Sequence, residues 1–215
     1  MDVCLRCVIA FPVIWGWDCQ SRFSFFVKGA RVLILLLGPS GVGKTSIIEE
    51  MVRRFSWTPL MSYVTRASRG RDFKIHVSHQ DFECLAKYGK LWSDVTQLGE
   101  RYGTSKAEVT LALQGQHEFC ILDFSLTRRQ EFFSHVPHLP VVVMPESPET
   151  LADRLKSIGR EDRVRSAQEE MCLLEEIRED PLRAREYRFV VNRTGELDTA
   201  VSAIRGHADE WAKRT

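Results

Sequence analysis

A glycine-rich segment carries the strongest chemical signal in this 215-residue chain. Residues Gly38–Thr45, which read GPSGVGKT, match the pattern G-x-x-x-x-G-K-[ST] in full. In this pattern the glycines allow backbone N–H groups to surround a phosphate, the lysine reaches the β- and γ-phosphate oxygens, and the hydroxyl binds Mg²⁺. We therefore expect a nucleoside triphosphate site. Its expected residues are Gly38, Ser40, Gly41, Val42, Gly43, Lys44 and Thr45, with Lys44 also catalytic and Thr45 the metal ligand.

A second candidate site is a basic segment that begins at Ser62 and reads SYVTRASRGR. It places Arg66, Arg69 and Arg71 directly after a short strand-like stretch. Arginine binds phosphate through two parallel hydrogen bonds, so the cluster suits a loop that clamps a phosphate. The alternative interpretation is a solvated basic turn.

A third basic group, Arg160, Arg163 and Arg165, follows a helix that is predicted to end near Lys156. Late basic loops in phosphoryl-transfer enzymes often close over the transferring group and supply positive charge where negative charge accumulates. We therefore expect Arg160 and Arg163 to be catalytic. The alternative is a charged helix face on which the arginines pair with acidic neighbours, namely Glu161, Asp162, Glu169 and Glu170.

The elements that must position these residues alternate between strands and helices. Aliphatic runs predict buried strands at 32–37, 119–123, 140–144 and 188–192. Helical patterns follow them at about 46–55, 127–134, 148–156 and 196–213. Because strands that alternate with helices form βαβ units, the sequence predicts an α/β fold: a P-loop three-layer α/β/α domain with a parallel sheet.

The middle of the chain has a different character. Its segments are short, polar and basic, with one clear helix near His79–Tyr88. We expect a small inserted lobe of mixed strands that binds the acceptor, which is the molecule that receives the phosphate. A helix near Lys106–Leu113 returns the chain to the main sheet. The predicted organisation is an N-terminal extension of unknown role at 1–29 and one domain at 30–215, with a core at 30–60 and 105–215, the lobe at about 61–104 and a short lid at about 157–166.

Composition excludes several classes of protein. A hydrophobic content of 44% and a charged content of 27% are typical of a globular chain and exclude a disordered tail, a collagen-like fibre and a polytopic membrane protein. The net charge of +1 argues against broad electrostatic capture of nucleic acid, although 22 of the 30 basic residues are Arg.

The cysteines and the N-terminal extension add little chemistry. Six scattered cysteines do not form a disulfide framework, and Cys4–Cys7 is a C-x-x-C without a second pair at metal-binding spacing. The apolar run at 7–17 is too short to span a bilayer. We expect a cytoplasmic protein, a monomer or homodimer, with small-molecule partners and no nucleic-acid or membrane partner.

Six motifs together resemble the guanylate kinase family, over roughly Val32–Ile204. They read, in order, LLGPSGVGKTS, SYVTRASRG, VSHQDFECL, RYGTSKAEV, ILDFS and YRFVVN. Their order and spacing agree across the whole domain, so the resemblance is more specific than the phosphate-binding segment alone. It implies a P-loop core, a nucleoside-monophosphate-binding lobe, a mobile lid, and the reaction of ATP and GMP to ADP and GDP with Mg²⁺.

The same resemblance suggests roles on the acceptor side. It implies that the acceptor phosphate binds Ser62, Arg66, Arg69 and Tyr102. Thr104 stands where the family has a hydroxyl that helps to read guanine. Asp123 stands at the position of the carboxylate that ends the central strand.

The chain departs from the family pattern at four places. Lys74 replaces a tyrosine, and Ser93 replaces a glutamate that accepts hydrogen bonds from guanine, although Asp94 is adjacent. Ser125 replaces the second acid of a D-x-D motif, and the lid at 158–162 is short. Because guanine presents N–H donors, the loss of carboxylate acceptors predicts weaker discrimination between bases.

Two other functions therefore stay open. Ribose 1,5-bisphosphate phosphokinases share this fold and a similar Y-x-T-R segment, need no base-reading acids, and have a lid similar to Gly159–Glu161, although the segment at 102–106 is closer to guanylate kinases. A non-catalytic guanylate-kinase-like module that recognises phosphopeptides is the third possibility. Such modules typically have degraded P-loops, whereas this one is complete.

Overall fold

The computed structural model describes residues 32–68, 70, 72–97, 99–115 and 117–214. The N-terminal extension lies outside the described residues, with its C-x-x-C pair and its apolar run. Arg69 and Arg71 lie outside them as well. Among the described residues, no helix is both long enough and apolar enough to cross a membrane.

The strands of the described residues form two sheets. In chain order they are β1 (Val32–Leu37), β2 (Thr58–Pro59), β3 (Ser62–Val64), β4 (Lys74–His76), β5 (Val95–Gln97), β6 (Glu100–Thr104), β7 (Phe119–Asp123), β8 (Leu139–Met144) and β9 (Arg188–Val191). The helices are α1 (Lys44–Phe55), α2 (His79–Lys87), α3 (Lys106–Leu113), α4 (Arg129–Phe133), α5 (Pro148–Ser157), α6 (Val164–Glu179), α7 (Pro181–Ala184) and α8 (Leu197–Ala212), and a 3₁₀ turn spans Glu161–Arg163.

The core sheet has the order β2-β7-β1-β8-β9, and all of its strand pairs are parallel. Strand β1 lies at its centre, and every residue of β1 is at most 5% exposed because both faces of the sheet are covered. The predicted parallel α/β fold is therefore confirmed. Strand β2 was not predicted, since its two residues include Pro59 and give no aliphatic run.

Two pairs of helices pack against each other around the core. Helices α1 and α8 contact each other, as do α5 and α6. Helix α6 is absent from the sequence-based prediction, although it buries Ala167, Met171, Leu174 and Ile177 at helical spacing. Its stripe of apolar residues is narrow and lies among many arginines and glutamates. The helical periodicity of the segment is therefore hard to see in the sequence.

The inserted lobe is built on the second sheet, whose order is β4-β3-β6-β5. Strands β3 and β4 are parallel, whereas β6 is antiparallel to β3 and β5, so the expected mixed strands are present. Ser62 pairs with both Lys74 and Thr104. Because paired residues of neighbouring strands point to the same side of a sheet, these three side chains share one face.

Candidate functional site

A cavity of about 510 Å³ brings together the P-loop, the lobe sheet and the segment that follows α5. The P-loop follows β1, and Asp123 ends the neighbouring strand β7, so both lie at the carboxyl edge of the core sheet. This edge is where open α/β sheets bind their ligands. From the lobe the cavity is lined by Ser62, Arg66, Asp72, Lys74, Ser93, Val95, Gln97, Tyr102, Gly103 and Thr104.

The P-loop backbone approaches its neighbours too closely for side chains. Gly38 has φ of +131° and Gly43 has φ of +98°, and both values favour glycine. A Cβ atom on Gly38 would lie 2.3 Å from the carbonyl oxygen of Val143, and one on Gly43 would lie 2.4 Å from Nδ2 of Asn192. These glycines are therefore required by the fold of the loop.

The N-terminus of α1 is arranged to bind an anion. Its N-cap residue, Gly43, has no side chain that could accept from the first-turn N–H groups, and no acidic residue lies in the first turn. The exposed N–H groups and the helix dipole give this end a partial positive charge. A phosphate fits this end without competition from a capping side chain.

Lys44 and Lys74 share one carboxylate at the base of the cavity. The Nζ atom of Lys44 donates to the carbonyl oxygens of Gly38 at 2.6 Å and Pro39 at 3.0 Å. It lies 3.8 Å from Oδ1 of Asp123, and Nζ of Lys74 lies 3.5 Å from Oδ2 of the same residue. Burial alone would raise the pKa of Asp123, but the positive charges of Lys74 and Lys44 outweigh it and lower that pKa.

Two hydroxyl groups occupy the part of the lobe where the sequence predicts recognition of a base. Ser93 and Thr104 are each 2% exposed. The Ser93 hydroxyl donates to Oγ1 of Thr104 at 3.0 Å and accepts from the Thr104 backbone N–H at 3.2 Å. The Thr104 hydroxyl therefore keeps its own hydrogen for a ligand.

Asp94 does not replace the missing glutamate. Its carboxylate accepts two hydrogen bonds from the guanidinium group of Arg101, and the Arg101–Asp94 pair is joined by Glu83. Asp94 is also absent from the lining of the cavity. Asp94 therefore forms a salt bridge within the lobe.

Arg66 lies at the lobe side of the cavity, with only 10% of its side chain exposed. Its Nη2 atom donates to Oδ2 of Asp72 at 2.5 Å. Tyr102 lines the same side of the cavity. Of the basic cluster expected from the sequence, Arg69 and Arg71 lie outside the described residues.

The third basic group divides between the cavity and the surface. Arg160 and Arg163 line the cavity, and Arg163 is 4% exposed. Arg165 instead leaves 91% of its side chain exposed and pairs with Glu169 at 3.1 Å. Arg165 therefore matches the interpretation as a charged surface, whereas Arg163 lines the cavity and also pairs with Asp162 at 3.5 Å.

Some residues in or beside the cavity were not predicted from the sequence as site residues. Asn192 follows β9 and donates through Nδ2 to the carbonyl oxygen of Val42 at 2.8 Å, which supports the P-loop from below. Arg154 lines the cavity and donates to the carbonyl oxygen of Asn192 at 3.0 Å. Asp72 and Glu170 are acids that line the cavity.

Glu170 was hidden among the charged residues of its segment. It follows Arg163, the N-cap residue of α6, by seven residues, and both side chains line the cavity, whereas Glu169 pairs with Arg165 at the surface. Burial raises the pKa of Glu170, and the positive charges of Lys44 and Arg163 offset this only in part. Helical spacing is the sequence signal that could have separated the two glutamates.

The donor set at the P-loop fits Mg²⁺. Thr45 offers a hydroxyl oxygen to the cavity beside the Asp123 carboxylate, and hard oxygen ligands are those that Mg²⁺ prefers. No cluster of three or more His, Cys, Asp or Glu side chains that could hold a metal occurs in the described part of the chain. Nucleotide-bound Mg²⁺ takes most of its ligands from phosphates and water, so such a cluster is not required.

Comparison with known proteins agrees with this geometry. The sequence model of the family described as guanylate kinase matches residues 30–207. A guanylate kinase of Chlamydia pneumoniae is 32% identical over 140 residues, which cover 60% of this chain and 66% of that protein. A guanylate kinase of Corynebacterium glutamicum is 29% identical over 183 residues, which cover 80% of this chain and 92% of that protein.

Two further similarities bear on the substrate and the fold. A ribose 1,5-bisphosphate phosphokinase of Rhizobium etli is 29% identical over 137 residues, which cover 60% of this chain and 68% of that protein. The crystal structure of a guanylate kinase from Anaplasma phagocytophilum has the same fold, with a TM-score of 0.62, 18% identity and coverage of 87% of this chain and 89% of the other. The family match spans most of the chain, and the chain therefore belongs to the guanylate kinase family.

Proposed function

We propose that this protein is a guanylate kinase, which transfers the γ-phosphoryl group of ATP to the phosphate of GMP. The observation that carries the proposal is that one cavity joins a complete P-loop, an acceptor lobe with Arg66 and Tyr102, and two arginines after α5. A non-catalytic module would not need this combination. The matched segment covers only 66% of the Chlamydia relative, so the activity is inferred from the site together with the family.

On the donor side, the P-loop would hold the phosphates of ATP. The backbone N–H groups of Gly41, Val42 and Gly43 would contact the β-phosphate, with Ser40 and Gly38 completing the loop. Lys44 would leave its carbonyl partners for the β- and γ-phosphate oxygens. Thr45 would bind Mg²⁺, which neutralises charge on these phosphates when it is bound.

On the acceptor side, the phosphate of GMP would lie against the lobe sheet. Ser62, Arg66, Arg69 and Tyr102 would bind its oxygens, and Lys74 adds a positive charge beside Ser62. The Thr104 hydroxyl is free to donate to the guanine carbonyl oxygen. Ionised Asp123 would hold Lys44 and Lys74 between the two phosphates.

Phosphoryl transfer in such a site needs positioning and charge, with no covalent intermediate on the protein. The two substrates approach from opposite walls of the cavity. Arg160 and Arg163 would then stabilise the negative charge that builds up on the transferring group. Their presence in the lining of the same cavity as Lys44 supports this role.

An assay of ADP release tests the proposal. With ATP, Mg²⁺ and one acceptor at a time, we expect rapid ADP release with GMP and dGMP and slow release with AMP and UMP. The blank is the same reaction without any acceptor, because ADP release then measures simple hydrolysis of ATP. Equal inactivity with every acceptor, including ribose 1,5-bisphosphate, would refute the kinase function.

Ribose 1,5-bisphosphate is the second candidate acceptor, and a specific observation favours it. The lobe presents Lys74 and the buried Ser93 hydroxyl where the guanylate kinase pattern has a tyrosine and a glutamate. A bisphosphate would use the extra positive charge, and it has no base that requires carboxylate acceptors. The similarity to the Rhizobium enzyme supports this alternative.

A Ser93→Glu substitution separates the two acceptors. The new carboxylate would accept hydrogen bonds from guanine N–H groups, so kcat/KM for GMP should rise about tenfold while that for ribose 1,5-bisphosphate does not rise. Ser93→Ala is the matched control, because it removes the Thr104 partner without adding an acceptor. An unchanged ratio of the two kcat/KM values in a folded Ser93→Glu protein would contradict the placement of guanine beside Ser93.

The proposal extends to the organisation and location of the protein. We propose a core at 30–60 and 105–215, an acceptor lobe at about 61–104 and a lid at about 157–166. We further propose a cytoplasmic monomer or homodimer that uses ATP with Mg²⁺ and has nucleotide partners rather than nucleic-acid or membrane partners. Sedimentation of the purified protein with and without ATP and GMP would distinguish the two oligomeric states.

A further inference from the structure

We propose that Asp72 and His76 are positioning residues, which hold the guanidinium group of Arg66 for the acceptor phosphate. The inference deepens the proposed function, because it rests on Arg66 as a phosphate ligand. The family resemblance assigns phosphate binding to neither of these residues. Both nevertheless contact Arg66 in a closed ring of hydrogen bonds.

The ring joins the side chain and the backbone of Arg66. Nη2 of Arg66 donates to Oδ2 of Asp72 at 2.5 Å, and the other carboxylate oxygen, Oδ1, lies 3.0 Å from Nε2 of His76. Nδ1 of the same imidazole lies 2.9 Å from the backbone carbonyl oxygen of Arg66. His76 thus fixes both ends of Arg66, one directly and the other through Asp72.

The chemistry of the partners defines what His76 must do. A backbone carbonyl oxygen only accepts hydrogen bonds, and so does an ionised carboxylate. Burial alone would raise the pKa of Asp72, but the hydrogen bonds from His76 and Arg66 outweigh it and lower that pKa. Asp72 is therefore ionised, and the ring is complete only when both imidazole nitrogens carry hydrogen.

Charge explains why such a ring serves a phosphate site. Asp72 lines the cavity, and an unbalanced carboxylate there would repel an incoming phosphate. Arg66 alone only cancels the charge of Asp72, whereas Arg66 and a protonated His76 together leave the ring net positive. The other charged group on the same face of β4 is Lys74, which pairs with Asp123.

Arg66 keeps capacity for a phosphate while it is held. Nη2 is bound to Asp72, and Nη1 donates to the carbonyl oxygen of Ala67 at 3.0 Å. The guanidinium group has five N–H donors, so others remain for phosphate oxygens. A side chain fixed before binding loses less conformational entropy when the phosphate arrives.

Three variants test the ring in the presence of Mg²⁺. His76→Phe keeps the ring size and removes both hydrogen bonds, Asp72→Asn removes the carboxylate charge, and His76→Asn retains one donor. We expect His76→Phe to raise KM for the acceptor about tenfold, with kcat changed less than about twofold and KM for ATP unchanged. His76→Asn should recover part of this loss. Equal KM values for wild type and His76→Phe, or a similar rise in KM for ATP, would overturn the inference.

A second readout is the split between the kinetic constants, which a purely structural role would not produce. A destabilised protein should lose kcat and both KM values together, whereas loss of the ring should raise KM for the acceptor alone. Parallel changes in kcat and in both KM values would contradict a positioning role.

A third arm needs no turnover and so separates this inference from the proposed function. The protein is saturated with Mg²⁺ and a non-hydrolysable ATP analogue, and binding of inorganic phosphate is followed by ³¹P NMR. Wild type should bind phosphate several-fold more tightly than His76→Phe or Asp72→Asn does. If GMP is not phosphorylated but this difference is found, the ring holds and the proposed acceptor is wrong. Equal phosphate affinities would overturn the ring whatever the acceptor.

Discussion

Replacing Lys44 by alanine should lower kcat about a thousandfold and leave the protein folded. In the proposed mechanism Lys44 reaches the transferring phosphate, so its charge should act on the transition state more than on the ground state. Its Nζ atom makes two hydrogen bonds to loop carbonyls in the free protein. Their loss should reduce the free energy of unfolding by no more than about 3 kcal/mol.

The measurement is single-turnover ADP formation at saturating ATP and GMP, together with thermal unfolding. Lys87→Ala is the matched control, since Lys87 lies exposed at the end of α2, away from the cavity. A Lys44→Ala protein that retains more than about a tenth of the wild-type rate would mean that the P-loop is not the donor site.

Replacing Arg163 by methionine should lower kcat by about a hundredfold, with small changes in KM for either substrate. Arg163 lines the cavity and is nearly buried, and its Nε atom makes no hydrogen bond to the described residues. It forms an ion pair with Asp162, whose Oδ2 lies 3.5 Å from Nε. A buried guanidinium group whose Nε–H is unused in this position is suited to charge that appears only during transfer.

Arg165→Met is an unusually close control, because Arg165 is two residues away, of the same type, and points to solvent with Glu169. It should leave kcat within about twofold of wild type. Arg163→Lys should recover only part of the loss, since lysine lacks the planar fork of donors. Equal effects of Arg163→Met and Arg165→Met would show that the segment contributes general charge only.

The donor half of the site could be predicted from the sequence because its signals are local. The aliphatic run of β1, the spaced glycines and Lys44 occupy fourteen consecutive residues, 32–45, and each has a direct structural meaning. A pattern of spaced glycines predicts positive φ angles, and Gly38 and Gly43 have them. The parallel sheet followed from strand and helix alternation for the same reason.

The contacts that hold the site together could not be predicted in this way. Asn192 supports the P-loop from 150 residues further along the chain, and the ending of a strand in Asn gives no indication of this. Asp94 was the nearest acid to the missing glutamate in sequence, yet Arg101 binds it outside the cavity. Such partners are decided by tertiary packing, which a single sequence does not encode in its local pattern.

The segment after α5 is an intermediate case. The sequence predicts that Arg160 and Arg163 belong to the site, and both line the cavity, but it gives the helix that follows them only as an alternative interpretation. Helical spacing distinguishes the two interpretations. It puts Glu170 on the side of Arg163, and it puts Glu169 beside Arg165. Gly103 is another residue whose role depends on packing, since a Cβ atom there would lie 2.8 Å from the ring of Phe82. It is required by close packing inside the lobe.

A direct competition between acceptors tests the central claim. Wild-type protein is given limiting ATP with Mg²⁺ and equal concentrations of GMP and ribose 1,5-bisphosphate, and the products are identified by ³¹P NMR. A guanylate kinase will produce GDP as the predominant product, and its β-phosphate signal will grow as that of the ATP γ-phosphate disappears. Predominant formation of a ribose product that carries a diphosphate, or the absence of any GDP, would contradict the account.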